Sequence, residues 1–297
     1  MEEILDGLMA GLDVSAYARP EFDVMQMQEI RLGLEDGLDI AIYAKPEFDA
    51  GQMEQVRLGL EEGVDMSAYI GCDFNWNQMK EIRLGLETGI DVSVYAKPEF
   101  DSHQMSRIRY GLENGLSVHV YAKPEFNAKQ MEQIARGLKI GLDVSIYASL
   151  AFDWRQMQQL RKGLEQGINI PVDVSPKFTW NQMREIRMGF KDGLDVSLYA
   201  RPEFSWEQMN IIRGGLKNGL NVSVYAKLEF NHEQMIQIKR GLYSKIDVSA
   251  YARPEFNWEQ MEEISDGLID RLDVSAYAKP EFNSKQMQEI RTGLLCN

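Results

Sequence analysis

The stretch Tyr121–Met131 reads YAKPEFNAKQM, and its first six letters return unchanged at Tyr43, Tyr95 and Tyr277. Around them the chain repeats one pattern. Phe recurs at 22, 48, 74, 100, 126, 152, 178, 204, 230, 256 and 282, always 26 residues apart, and a Gln-Met pair follows each at the same offset, from Gln26-Met27 to Gln286-Met287. Gly recurs from Gly33 to Gly293, and Tyr from Tyr17 to Tyr277 with one break at Asp173. A register this regular predicts a single array over 1–297: an N-terminal capping helix over 1–12, then eleven units of 26 residues over 13–297.

One unit predicts its own local structure. In Phe204-Ser205-Trp206-Glu207-Gln208-Met209, Ser205 is an N-cap and Gln208 completes a capping box. The equivalents of Ser205 are all Asp, Asn, Ser or Thr, from Asp23 to Asn283. Phe204 before the cap and Met209 after it make the two ends of a hydrophobic staple. Met209, Ile212 and Leu216 continue as one apolar stripe. Gly219 ends the helix where a left-handed residue is needed. The spacing therefore predicts a long helix from Trp206 to Asn218.

The remainder, GLNVSVYAKLEF, reads in two ways. Asp195 or Asn221 can cap a short helix that Pro202 terminates. The alternation of Leu, Val and Val also suits a strand, and with it a β/α horseshoe of leucine-rich-repeat type. Pro171 in this segment favours the helix, because a first helical turn accepts it and a central strand does not. The expected fold is thus all-α: an α-solenoid of eleven two-helix repeats, each burying its apolar face against its neighbours. With helices about 8–10 Å apart, such an array is elongated. Gly33 and its equivalents lie inside the long helix at a cost of roughly 0.5–1 kcal/mol each relative to Ala. They predict a neighbouring helix too close for a Cβ.

Composition bounds the function. Hydrophobic residues make up 44% and charged residues 26%, an ordinary soluble balance. The net charge of −14 opposes a general nucleic-acid or anionic-membrane surface. Its distribution is uneven: −13 over 1–150, +4 over 151–246 and −5 over 247–297. Two cysteines, Cys72 and Cys296, suggest no disulfide framework. The acidic start MEEILDGLMAG is not a signal peptide, and no run approaches a membrane span, so a cytoplasmic location is expected.

A catalytic site needs residues that differ from their surroundings and converge. No P-loop, GxSxG, HExxH or CxxC occurs, which points to a non-enzymatic protein without a cofactor or metal. His103, His119 and His232 read as solvated surface, Cys72 as packing, and the Met27 row as core. Capping accounts for the Gln row, although a binding ladder is the other reading. The Arg31 row and the Glu21 row read as stacked salt bridges or a solvated stripe.

The positions that vary carry the remaining information. Trp76, Trp154, Trp180, Trp206 and Trp258 all occupy the first helical position, where other units place Ala50, Ser102 or Ala128. Trp154, Trp180 and Trp206 are consecutive, and between them lie the rewritten corners Ser149-Leu150-Ala151 and Pro171, Asp173, Ser175 and Lys177. The same region carries the +4 charge. Aromatic rows are frequent recognition surfaces. A partner site is expected at Trp154, Trp180 and Trp206, with Arg155, Lys177 and Arg184 supplying positive charge.

The pattern DVSxYAKPEFxxxQMxxIRxGLxxGL resembles a tandem helical repeat of uncharacterised Firmicutes-type bacterial proteins. The resemblance covers the whole chain but brings no activity and no site residues with it. In logic, not in motif, the array is similar to tetratricopeptide-like solenoids, which implies protein or peptide binding by analogy of fold. The expected function is a monomeric protein- or peptide-binding repeat scaffold taking an acidic peptide. The alternative is a modular binder of single-stranded nucleic acid.

Overall fold

The structure, a computed structural model, describes residues 2–70, 73–168 and 176–296. Cys72, Pro171, Asp173 and Ser175, each singled out above, lie outside the described residues. Among the described residues twelve α-helices follow one another, a single 3₁₀ turn stands in ten of the connections between them, and no strand occurs. The helices are α1 Glu2–Met9, α2 Val24–Glu35, α3 Ala50–Glu62, α4 Trp76–Glu87, α5 Ser102–Glu113, α6 Ala128–Lys139, α7 Trp154–Glu165, α8 Trp180–Lys191, α9 Trp206–Lys217, α10 His232–Tyr243, α11 Trp258–Ile269 and α12 Ser284–Leu295. Contacts group the chain into two compact units, Met1–Trp154 and Arg155–Asn297. In the first, each helix from α1 to α6 packs on the next; in the second, α8 to α12 do the same. The fold is an α-solenoid, and the horseshoe reading falls with the absence of its strands.

Local chemistry starts each long helix. Ser205 Oγ accepts from the Gln208 N–H, and Gln208 Oε1 accepts from the Ser205 N–H. The same reciprocal box is present at each cap from Asp23 to Asn127 and from Thr179 to Asn283. Phe204 and Met209, either side of that box, are both fully buried. Gly219 follows the helix end at φ +68°, as the left-handed position requires. Lys245 and Arg271 hold the equivalent position at φ 59° and 63°. An L-residue is strained there by about 1 kcal/mol.

The disputed segment is a 3₁₀ turn of three residues, such as Val222–Val224. Asp91 caps one by accepting from the Ser93 N–H at 3.0 Å. Ser117 stands at the matching place before Val118–Val120 and makes no side-chain cap bond. The bonds to Ser93 and Ser145 hold the carboxyls of Asp91 and Asp143 below the usual carboxylate range. A depressed pKa stabilises the fold above the unfolded value of about 3.9, and that help fades as pH falls through the lower folded value. An acid titration followed by NMR is expected to shift the amides of Val92–Val94 and Val144–Ile146 below about pH 4. Val118–Val120, lacking the carboxylate, should stay still. Carboxyl midpoints at or above the ordinary aspartate value would refute this.

The interior glycines have a different cause from the one expected. A Cβ on Gly33 would lie 1.9 Å from the hydroxyl of Tyr43, and the same clash recurs from Gly7 with Tyr17 to Gly267 with Tyr277. The close neighbour is the tyrosine of the following corner, not another helix. Tyr43 is fully buried, and its hydroxyl donates to the Glu29 carbonyl at 3.1 Å. Glycine opens the slot through which the phenol reaches the helix backbone.

Two further rows tie helix to helix. The capping glutamine has a second arm: Gln52 Nε2 donates to the Phe74 carbonyl at 2.7 Å, 22 residues on. Capping is therefore only half of the reason for the Gln row. Arg57 Nε donates to Glu29 Oε2 at 2.9 Å, 28 residues back, and both side chains are mostly buried. Where glutamine replaces the acid the bond persists, as in Arg83 to Gln55 at 3.1 Å and Arg187 to Gln159 at 3.2 Å. The Arg31 row is thus an internal ladder rather than a solvated stripe. The Lys or Arg of the YAKPEF phrase is exposed, yet it leans on its phenylalanine, Arg201 lying 5.3 Å from the Phe204 ring.

Candidate functional site

The first helical position follows the cap directly, and its side chain tilts back toward the helix N-terminus. A large residue there leans over the preceding helix, 25 residues earlier in sequence. Trp76 lies over Gly51, where a Cβ would stand 2.8 Å from the indole. The Lys129 ammonium sits 5.0 Å from the Trp154 ring centre, and the Arg155 guanidinium 5.8 Å from that of Trp180. Each indole thus rests on one element and leaves its remainder to solvent. Trp154 and Trp180 are half-buried, and Trp206 is 41% exposed.

Small residues at this position leave a hollow. In the first unit, Ala128 on α6 is followed by Trp154, and beside them an open groove of about 560 Å³ crosses the starts of α5 and α6. His103, Arg107, Lys129 and Glu132 form its sides, with Trp154 standing at one end. Arg107 pairs with Glu132 at 3.5 Å, and His103 lies 3.8 Å from Asp101. The groove therefore combines an aromatic wall, the small apolar Ala128, the carboxylates of Asp101 and Glu132, and cations near two helix N-termini, whose dipole ends also favour negative charge.

The six residues expected to form the partner site fall in both units. Trp154 belongs to the first, where it bounds the groove; Arg155, Lys177, Trp180, Arg184 and Trp206 belong to the second. There, Arg155 covers Trp180, while Lys177 and Arg184 are exposed. Among the described residues no ion pair or ring contact joins Lys177 or Arg184 to Trp180 or Trp206. Sequence reasoning missed the contribution of Arg107 and Lys129. The available signal was the pair of small residues, Ser102 and Ala128, standing between Trp76 and Trp154 at the same register position.

The positive middle of the chain is less exposed than its count suggests. Arg161 and Arg187 are buried, and Arg213 binds Glu185 at 2.9 Å and Asp192 at 3.2 Å. His103, His119 and His232 are exposed. Among the described residues no three His, Cys, Asp or Glu side chains are placed to hold a metal ion, and no helix is long and apolar enough to cross a membrane. No family model, curated protein or solved structure matches this chain.

Proposed function

We propose that this protein is a non-enzymatic repeat scaffold of the cytoplasm that holds a protein partner through an acidic peptide segment with apolar anchors. The groove over α5 and α6 carries the reading, because its aromatic end wall bears a cation of the chain itself. An apolar side chain of the peptide packs on Trp154 and Ala128. Its carboxylates meet Arg107, Lys129 and the positive ends of the two helices. Single-stranded nucleic acid is the alternative occupant. The inward placement of Arg161, Arg187 and Arg213 and the overall charge of −14 favour the peptide.

Peptides selected from a random displayed library are expected to carry Asp or Glu beside Leu, Phe or Trp. Truncating an anchor aromatic at an interface costs on the order of 2 kcal/mol, about 30-fold in affinity. Trp154→Ala should weaken the selected peptides by about that factor in fluorescence anisotropy. It should fold normally, since Ala50 and Ala128 already occupy this position. Unchanged affinity in the variant would sink the reading. So would tighter binding of a labelled single-stranded oligonucleotide than of any selected peptide.

A further inference from the structure

Two interruptions of the repeat meet at one place in the second unit. The first concerns the tryptophans. Lys129 covers Trp154 and Arg155 covers Trp180, each from 25 residues earlier. The residue in that position for Trp258 is Glu233, an acid in place of the cation. Glu233 has no ion-pair partner among the described residues. Trp258 remains 37% exposed.

The second concerns the internal ladder. Gln55 and Gln159 receive the guanidinium Nε of Arg83 and Arg187 from the next repeat. Gln237 occupies the same position, but the residue that should reach it is Ser265, too short to do so. Ser265 is fully buried, with its hydroxyl 3.4 Å from that of Tyr251. Gln237 is only 8% exposed, and its Oε1 is buried without a hydrogen-bond partner. A buried carbonyl left in this way costs about 1–3 kcal/mol. It is an acceptor awaiting a donor.

Both vacancies border one hollow. Glu233, Ile236, Gln237 and Trp258 line a space of about 210 Å³ between α10 and α11. A free carboxylate, an aromatic face and the side-chain amide that carries the unmatched carbonyl thus border a volume several times that of one water, whose share of the liquid is about 30 Å³. Over Trp154 and Trp180, and at Gln55 and Gln159, the chain supplies its own cations. Here it supplies none.

We infer that this hollow binds a guanidinium group, presented as an arginine side chain of a protein partner. The planar cation stacks on the Trp258 indole, donates a charge-assisted pair of bonds to Glu233, and directs a further N–H to Gln237 Oε1. The terminal torsion of a glutamine is soft, so a rotation of the amide presents Oε1 to the hollow. A lysine ammonium, a point charge with a strong hydration shell, satisfies this flat, three-sided arrangement less well. The site is separate from the groove over α5 and α6 and has the opposite charge preference. It stands without the function proposed above, because a small cation tests it directly.

The test uses the full chain labelled with fluorotryptophan, the Trp258 resonance being assigned by its loss in Trp258→Phe. The probe is N-acetylarginine amide, and the control is N-acetylcitrulline amide, which has nearly the same shape and no charge. A saturable shift of the Trp258 resonance with the arginine probe is expected, with at least about tenfold weaker response to citrulline, as for loss of a charge-assisted bond. Ser265→Arg restores the ladder cation from within and should abolish the response. Glu233→Lys places an ammonium where Lys129 has one, and should do the same. Both are compatible with the fold, since Arg or Lys fills the Ser265 position in nine other repeats and Lys129 the other. Absence of a saturable shift, an equal response to citrulline, or a response surviving in either variant would overturn the assignment.

Discussion

Gly33→Ala is expected to destabilise the protein by about 2–4 kcal/mol, although alanine is the better helix former by roughly 1 kcal/mol. The new methyl would stand 1.9 Å from the Tyr43 hydroxyl and 3.3 Å from Ile40 Cγ2. Tyr43 is fully buried, so it has nowhere to retreat without breaking its bond to the Glu29 carbonyl. Tyr43→Phe alone should cost only about 1 kcal/mol, because that carbonyl keeps its helical partner. The double variant should then be more stable than Gly33→Ala, since removing the hydroxyl leaves the ring Cζ at 3.1 Å as the closest tyrosine atom. Urea unfolding of the four chains measures the coupling, with hydrogen exchange in α2 reporting its location. Strictly additive costs would show that glycine and tyrosine do not share this slot.

Gln104→Met should cost about 2–4 kcal/mol, and the damage should be local. Gln104 is 5% exposed and serves two repeats at once. Its Oε1 accepts from the Asp101 N–H at 2.7 Å, while Nε2 donates to the carbonyls of Pro124 at 2.9 Å and Phe126 at 2.7 Å. Methionine matches the length and leaves all three backbone groups without that partner. Hydrogen-exchange protection should fall first in α5 and α6, since repeats in such arrays contact only their neighbours. Gln286 provides an internal control. Its Oε1 accepts from the Asn283 N–H at the start of α12, and its Nε2 donates to no backbone carbonyl among the described residues. Gln286→Met should therefore cost about 1 kcal/mol or less, the value of the cap alone. Equal costs at the two sites would mean that the clasp contributes nothing.

The candidate sites were legible to different degrees for a physical reason. The tryptophan row is a matter of register, and register is visible in a repeat. Whether an indole is covered or open depends on the residue 25 positions earlier, which becomes its neighbour only when helices stack. Trp154 over Lys129, Trp180 over Arg155 and Trp258 beside Glu233 look alike as tryptophans and differ by that one partner. The groove over α5 and α6 follows the same rule, since Ala128 leaves a hollow only where α5 and the Trp154 side chain come to flank it.

The sequence by itself determined most of what closes within about four residues: the capping boxes at Asp23 through Asn283, the left-handed stop at Gly219, and the long helix with its period of 26, while the choice of 3₁₀ turn over strand in the corner came from the structure. These bonds join near neighbours along the chain, so residue type and spacing specify them without knowledge of the fold. Only the tertiary structure decided what the invariant letters hold. Gly33 makes room for Tyr43, Gln52 reaches Phe74, and Arg57 reaches Glu29, over separations of 14, 22 and 28 residues for the three bonds concerned. Such partners meet only after one helix has settled on the next. The same stacking exposes the empty rung at Gln237, because an unmatched acceptor exists only where the missing donor would have arrived.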